Sequence, residues 1–560
     1  MILSNSTVNN NITPQIATQK PFNPAFGGNN SFTLNCFKND KVNTAFQKLE
    51  NPTLKLLFVN MISMVAPRII IDSYRNKYAA AETTFYELYS TVVNYGIPCL
   101  IALGTASLLG KFRFFNPKGV NTKGWIDNES IKTLGNLHKD QKNSAEYAEK
   151  VLNNVEFYRG KKGWQNLNKV LKPDDLKGHA ESLAKLMQND VKPENIKKLA
   201  GTIGESIGTV DKIKVGNLNT SLENLLKNTV YLGQQLKNSN GSHETINTVV
   251  KSLTHVNNAK TIASLAIVSA LGFSTQFINR WITKKRTGKD EFVGYKDFGS
   301  DNKTSEKNNN NTVNKQNTSF KGLKGLPKLE SYNILPTKDQ LTWVIYPLGI
   351  LGRVLSVRSG DELREVSLKS AFAYLNFLII PTFMANWAAR SFGNKHVFNN
   401  KPQKPLPNDT GVLEKLKYKF NGINNLNIRS YDDIEAYSKF KAKKYVDSNK
   451  FEKLKNILSN PDPILKEIKG KTNEQKIDLI SKSITKELSG IKNASTFAGI
   501  LYSCLTLGIG VNVLNQIITN RKRAKQLEAQ NHKQDNNAQN KALSVNNKTL
   551  LNKLYSNFYQ

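Results

Sequence analysis

The stretch NNAKTIASLAIVSALGFSTQFINRWITKKR, residues 257–286, combines a long uncharged run with a basic end. No charged residue occurs from Thr261 to Asn279, and the basic cluster KKR follows at 284–286. As an α-helix, the uncharged run covers about 28 Å, which is close to the hydrocarbon thickness of a bilayer. The stretch therefore predicts a transmembrane helix that stops at a basic cluster.

A similar stretch, NASTFAGILYSCLTLGIGVNVLNQIITNRK, occupies residues 493–522. At one constant offset Leu271, Gly272, Asn279, Ile282 and Thr283 fall on Leu507, Gly508, Asn515, Ile518 and Thr519. At a second offset Glu82, Ile97, Pro98, Ala102 and Gly110 fall on Glu365, Ile380, Pro381, Ala385 and Gly393. Arg68 falls on Arg353, two residues out of that register. The sequence therefore predicts two tandem repeats.

The predicted fold is an all-α integral membrane protein. Each repeat contains a short helix with Pro and Arg, which is interfacial or re-entrant, two transmembrane helices and a polar helical module. Repeat 1 covers 46–286, with the short apolar segment at 54–71, spans at 88–110 and 261–279, and the module at 112–256. Repeat 2 covers 339–525, with the apolar segment at 341–352, spans at 370–389 and 494–519, and the module at 408–490.

Three segments outside the repeats have compositions without core-forming capacity. Residues 1–45 are predicted as a disordered N-terminal segment, 287–338 as a disordered linker and 526–560 as a basic polar tail. Inside the modules, apolar residues recur at helical spacing, as at Val151, Val155 and Tyr158.

The two short segments are too short for full spans. In 54–71, the uncharged part covers about 18 Å of helix, well below the thickness of the hydrocarbon core. In the longer segments, Pro98 and Pro381 are predicted helix kinks, because proline lacks the N–H that an interior helical position needs.

The basic clusters at 284–286 and 521–523 predict the orientation, since such clusters favour the cytoplasmic side. Both basic clusters lie on the cytoplasmic side if each repeat crosses the membrane an even number of times. We therefore expect a multi-pass protein of the cell membrane with four spans, and with the termini and the central linker in the cytoplasm. The alternative has six spans in inverted repeats, an arrangement common in transporters.

The chain of 560 residues has a formal net charge of +35, which favours anionic partners. The expected partners are a lipid bilayer with anionic headgroups and a protein of unknown identity, and a homo-oligomer is left open. Nucleic acid binding is not expected, since aromatic residues among the lysines, such as Tyr437 and Tyr445, fit a helix face equally well.

Motifs for chemistry are missing from the sequence. The stretch GTASLLGK at 104–111 has one residue too many for a phosphate loop and lacks the following Ser or Thr. The six histidines are scattered without ligand spacing. We therefore expect no cofactor, no metal and no catalytic residue, although the absence of enzymatic activity does not follow from sequence alone.

One charged constellation stands near the ends of the apolar segments: Arg68, Asp72, Glu82 and Glu87, with Arg353, Asp361 and Glu365 in the second copy. Among them, Arg68, Glu82, Arg353 and Glu365 are the leading candidates for ion pairs. Charges at such depth are costly and tend to face partners or a water-filled path. Three roles are open: solvated groups that extend to the membrane surface, a clamp between helices, or an ion or proton path.

Two functional hypotheses follow. The first is a membrane-anchored interaction or scaffold protein without catalytic activity, because over half of the chain is polar and lies outside the predicted spans. The second is a transporter or channel component whose two repeats surround a path with Arg/Glu pairs at the helix ends.

Overall fold

The computed structural model describes residues 35–50, 57–112, 120–298, 340, 344–399 and 411–558, apart from short gaps. These gaps are at 125, 140, 142, 160–162, 189–191, 238–242, 379, 412–413, 415–417, 419–420, 422 and 424–425. Helices make up most of the described chain, which confirms the predicted all-α class. The predicted disordered segment 1–45 falls outside the description up to residue 34.

Three described helices are long and apolar enough to cross a membrane: Lys77–Lys111, Ile246–Thr287 and Asn473–Asn537. They contain the predicted spans 88–110, 261–279 and 494–519. The fourth predicted span, 370–389, is divided between two helices on either side of residue 379.

Large apolar side chains that remain exposed are concentrated on these helices and on the segment before the first of them. Examples are Ile62, Leu100, Leu108, Ile262, Trp281 and Leu505. Exposed apolar area of this extent indicates contact with a membrane or a partner. The distribution is compatible with a membrane protein.

The first elements in the chain are α1 (Asp40–Lys48), α2 (Ala66–Ser73), α3 (Lys77–Thr91) and α4 (Ile97–Lys111). Asn39 and Asn76 cap α1 and α3 by accepting hydrogen bonds from backbone N–H groups of the first turn. π-Helical turns at Met61–Val65 and Val92–Gly96 precede α2 and α4. Pro67 and Pro98 follow them at the start of regular helix, where the missing N–H is least costly.

The first polar module contains helices and a sheet. Its elements are α5 (Asn128–His138), α6 (Ser144–Asn153), β1 (Val155–Tyr158), β2 (Trp164–Asn166), α7 (Pro173–Gln188), α8 (Pro193–Ile207), β3 (Ile213–Val215), β4 (Leu218–Thr220) and α9 (Leu222–Lys237). The strands form one antiparallel sheet in the order β2-β1-β3-β4.

The sheet corrects one detail of the predicted helical module. Val155 and Tyr158 continue the spacing of Val151, but α6 ends at Asn153 and both residues lie in β1. Val155 and Phe157 are fully buried, while Glu156 and Tyr158 are half-buried. The sequence VEFY is thus an alternating strand of β-branched and aromatic residues, too short to be separated from the preceding helix by periodicity.

Helix α10 (His243–Thr287) leads from this module to the basic cluster. Its first half is fixed to the module, because Ile246, Val249 and Leu253 belong to the module core. Further along the helix, Lys260 Nζ donates to the carbonyl oxygens of Thr122 (3.1 Å) and Gly124 (3.0 Å). After α10, residues 288–298 are folded, contrary to the predicted disordered linker. Val293 and Phe298 are buried against Ala79 of α3. The linker residues 299–338 are not described.

The second half contains α11 (Tyr346–Leu355), α12 (Gly360–Leu378), α13 (Ile380–Ser391), α14 (Tyr431–Asp447), α15 (Asp462–Glu467), α16 (Asn473–Ser503) and α17 (Val511–Phe558). A π-helical turn, Cys504–Gly510, joins α16 to α17. The second module has its own core, in which α14 packs against the first part of α16. Most of the predicted basic tail continues α17.

Each short apolar segment packs against the long helix of the other half. Ser63, before α2, donates a 3.4 Å hydrogen bond to the Ile500 carbonyl of α16, and its own carbonyl lies against Gly508. In the same way, α11 packs on α10, where Gly352 lies against the backbone of Phe273. The glycines are required here because the backbones approach too closely for a Cβ.

The two modules dock on each other. Asp433 of α14 accepts hydrogen bonds from the Thr209 hydroxyl (2.7 Å) and the Val210 backbone N–H (2.8 Å), while Asp211 accepts two from Ser430. Burial and the nearby charge of Asp433 raise the pKa of Asp211 to about 6. The contact between the two modules and the first turns of α10 and α16 lie at the same end of the long helices. We call this end the module end.

Gly352→Ala tests the close contact between α11 and α10. A Cβ at this position would lie 2.1 Å from the Phe273 carbonyl oxygen, so one backbone has to move. We expect a loss of about 1–3 kcal/mol, seen as a lower midpoint in thermal unfolding of the purified protein in lipid nanodiscs.

The control is Gly349→Ala, one turn earlier on the same helix. Its Cβ would lie 3.9 Å from the Gly272 carbonyl, an ordinary contact. This variant should unfold at or above the wild-type temperature, because alanine favours helix over glycine. Equal behaviour of the two variants would contradict the proposed contact.

Candidate functional site

Charged residues gather at the end of the long helices opposite to the modules, between α2, α3, α11 and α12. We call this group the ionic cluster: Arg68, Asp72, Arg75, Glu82, Glu87, Arg353, Arg358, Asp361, Glu362, Glu365 and Lys369. All of its carboxylates are buried, and acids and bases are nearly equal in number. Buried ions are tolerated only when they are paired and hydrogen-bonded, so the cluster is a chemically demanding region of the fold.

Two ion pairs connect the halves reciprocally. Arg75, which precedes α3, donates to Glu365 of α12 at 3.0 Å. Arg358, which precedes α12, donates to both oxygens of Glu82 of α3 at 2.8 and 2.9 Å. Their guanidinium groups are almost inaccessible to water, with side-chain exposures of 2% and 1%. Each half therefore supplies the cation for the buried carboxylate of the other.

Arg358 is held by a second carboxylate as well. Glu362 accepts from its Nε at 3.0 Å and from its terminal nitrogen at 2.8 Å. Burial by itself lowers the pKa of Arg358, but the hydrogen bonds and charges of Glu362 and Glu82 outweigh it and raise the pKa above its ordinary value. The guanidinium stays charged, as bidentate pairing requires.

The long helices contact the same two carboxylate residues in matching ways. Asn279 donates to the Glu82 carbonyl oxygen at 3.0 Å, and Asn515 donates to that of Glu365 at 3.5 Å. The hydroxyl of Thr283 hydrogen bonds to the Glu82 side chain, and that of Thr519 to the Glu365 side chain. Asn279 and Asn515, and likewise Thr283 and Thr519, coincide at one offset in the sequence.

The residues singled out from sequence all lie in the cluster, but they do not pair with one another as equivalent couples. Arg68 pairs with Glu87, at 2.5 Å, rather than with Glu82. The guanidinium of Arg353 lies over the ring of Tyr86, with 4.1 Å to the centroid. The predicted groups are therefore brought together. Arg68 pairs with one of the predicted acids, whereas Glu82 and Glu365 take their cations from Arg358 and Arg75, which lie outside the predicted set.

Sequence reasoning missed Arg75 and Arg358, which make the contacts between halves. A signal was present, because Arg75 falls on Arg358 at the same offset that places Glu82 on Glu365. Both lie in polar patches outside the apolar runs, where a charged residue has an ordinary explanation. The exchange of segments between halves gives each of them a second buried partner, in the other half.

Residues 288–298 close the cluster from outside. The Tyr295 hydroxyl donates to Asp361 at 3.0 Å, and Lys522 donates to the other oxygen of Asp361 at 2.8 Å. Burial and the charge of Asp361 raise the pKa of Tyr295 to about 12, so the phenol remains a donor. The segment thus contacts both halves at the same point.

Two cavities adjoin the cluster. The first is about 70 Å³, and half of the residues that line it are charged groups of the cluster. The second, about 90 Å³, extends toward the module end between α3, α10, α11 and α12 and has apolar walls that include Val93, Ile345 and Ile350. Arg68, Tyr86, Glu87 and Arg353 line both cavities and form the wall between them.

The predicted kink positions are at the starts of helices. Pro98 follows a π-helical turn and is the second residue of α4, and Pro381 is the second residue of α13. The Pro381 carbonyl lies against Gly499 of α16.

Across the described part of the chain, no group of three or more His, Cys, Asp and Glu side chains could hold a metal ion.

No protein-family model, curated protein or solved structure matches the chain.

Arg358→Gln is expected to destabilise the protein by about 3–5 kcal/mol, because Glu82 and Glu362 lose their shared buried cation. Thermal unfolding in nanodiscs measures the effect. The double variant Arg358→Gln with Glu82→Gln should recover part of the loss, since one uncompensated charge is removed with its partner.

The matched control is Lys482→Gln. Lys482 pairs with Asp478 at 2.7 Å, but its side chain is 73% exposed. Surface pairs of this kind contribute little, so the unfolding midpoint should barely move. If Arg358→Gln behaved like this control, the pairs between halves would not hold the fold together.

Proposed function

We propose that the chain is a membrane-anchored interaction or scaffold protein without catalytic activity, in which the ionic cluster is a fixed clamp between two membrane-embedded halves. The observation that supports this proposal most directly is the reciprocal pairing of Arg75 with Glu365 and Arg358 with Glu82. Both pairs are buried and hydrogen-bonded further by the long helices. A clamp of this kind favours a single arrangement of the two halves over alternation between two conformations.

The clamp supports the duplication inferred from sequence. The Asn and Thr contacts to Glu82 and Glu365 repeat at matching positions, and each short segment packs on the long helix of the other half. We infer two copies of one unit whose short segments and arginines are exchanged. The fixed exchange would hold the docked modules as one body on one membrane face, where a partner could bind.

The geometry also suggests a topology. Lys492 contacts both Glu50 and the Arg429 carbonyl, so residues 35–50 lie at the module end. The chain then passes Gly508 and reaches the cluster at Asp72. We infer that 57–73 crosses the apolar layer, whereas α11 follows Ile345, which is buried between Val93 and Val268, and ends on the cluster side. Residues 35–50 would then share the face of the modules, a revision of the prediction for this end of the chain, while the basic ends of the long helices stay inside.

Cysteine labelling tests this topology, because the native Cys36 is exposed. In sealed vesicles with the modules outward, a membrane-impermeant maleimide should label Cys36 and also Ser206→Cys, an exposed module position. Lys289→Cys, an exposed position after α10, should react only after permeabilisation. The other two cysteines, Cys99 and Cys504, are replaced by Ala throughout. Labelling of Cys36 together with Lys289→Cys would contradict the inferred side of the N-terminus.

A second candidate function is transport. The observation that favours it is the pair of cavities between the halves, which share the wall made by Arg68, Tyr86, Glu87 and Arg353. Substrate sites of many transporters lie at such repeat interfaces. The wall would then have to open, with Arg68 parting from Glu87.

Flux measurements separate the two functions. The full chain is reconstituted into vesicles that contain pH- and chloride-sensitive dyes, beside empty vesicles and the variant Glu82→Gln with Glu365→Gln. For a clamp we expect the wild-type flux to equal that of empty vesicles, because the cluster gives no open path. Flux above this background that disappears in the variant would overturn the scaffold proposal in favour of transport.

A further inference from the structure

Arg353 lacks the carboxylate partner that the other arginines of the ionic cluster have. Within the described residues, its guanidinium stacks on Tyr86 at 4.1 Å and makes no ion pair. Its Nε atom is buried and has no hydrogen-bond partner there. A guanidinium on a ring face keeps its edge free for planar, bidentate binding of an oxyanion.

Two further buried polar atoms on the same cavity are unsatisfied. The hydroxyl of Ser370, a residue only 4% exposed, and the Nε of Arg68 have no partner among the described residues. Both residues line the second cavity together with Arg353. Buried donors without partners are costly, and three around one cavity indicate a binding function for it.

The comparison of the two halves explains why Arg353 has no carboxylate partner. In the first half, Glu87 supplies the carboxylate for Arg68. At the offset that places Glu82 on Glu365, Glu87 falls on Ser370, and Arg68 corresponds to Arg353. The second half therefore has the arginine without the carboxylate. This step relies on the proposed duplication, whereas the unsatisfied atoms do not.

We propose that the second cavity binds a single oxyanionic group with one negative charge, a carboxylate or a phosphodiester, between Arg353 and Ser370. Arg68 and Arg353 against Glu87 leave one positive charge on the cavity wall, which matches a monoanion. The volume of about 90 Å³ is small beside pockets for whole small molecules, so it admits the oxyanionic group with its first methylenes, and the apolar walls suit those methylenes. The source is an acidic lipid of the bilayer or a small free anion.

Native mass spectrometry of the full chain, released from neutral detergent, tests the proposal. The probes are sodium oleate, a phosphatidylglycerol, sodium acetate and inorganic phosphate. We expect one molecule of oleate or phosphatidylglycerol bound per chain. Binding by acetate or phosphate that displaces the lipids would identify a free anion as the source. Failure of all four probes to bind would overturn the proposal.

Variants locate the site. Arg353→Gln should weaken binding at least about tenfold, as expected for loss of a charge-assisted hydrogen bond. Arg286→Gln removes an exposed arginine at the end of α10 and should leave binding unchanged. Equal affinity of the wild type and Arg353→Gln would overturn the proposal.

Ser370→Glu gives the sharper test, because it restores the carboxylate that position 87 provides in the first half. It should abolish binding and keep or raise the unfolding midpoint, which separates loss of the site from loss of the fold. Retained binding by this folded variant would contradict the assignment. Neither outcome depends on the flux measurements, so the site and the scaffold proposal can fail separately.

Discussion

A charge removed from water among apolar helices needs a fixed opposite charge, and this chain places that charge in the other half of the molecule. Glu82 is neutralised by Arg358 and Glu365 by Arg75. Removing one partner of such a buried pair destabilises a fold far more than replacing the whole pair by apolar residues. The stability of each half therefore depends on the other half. The positions of α2, α3, α11 and α12 around the cluster follow from this mutual requirement.

The sequence points to the correct region of the fold but not to the contacts between the halves. Glu82 and Glu365 were recognisable because acids close to an apolar run are rare, and Arg68 and Arg353 for the same reason. The partners of Glu82 and Glu365 could not be derived, because the exchange between halves is a tertiary event that no local pattern encodes. Arg75 and Arg358 had an aligned signal, yet it lay in a polar stretch where charges are ordinary.

Local structure was missed where the segments were short. The strand at Val155–Tyr158 follows a helix directly, and its spacing continues the helical pattern by coincidence. Residues 288–298 have the composition of a linker, but Val293 and Phe298 find a buried site against Ala79. Composition averaged over a long segment hides a few apolar residues that anchor one end of it. The all-α class was predictable, because long apolar periodic runs leave few alternatives in a bilayer.

The exchanged packing of the short segments also affects how the protein can be made. Ser63 hydrogen bonds to the Ile500 carbonyl, 437 residues later in the chain. At ordinary synthesis rates of about 5–20 residues per second, the first segment waits roughly 20 to 90 s before its partner helix exists. During that time the backbone surface at Ser63 that Gly508 will cover lacks its packing partner, whereas Arg68 can already pair with Glu87, 19 residues later. Because the last long helix is synthesised last, it is the element that completes assembly. In a nascent chain arrested before this helix, the segment around Ser63 would remain exposed.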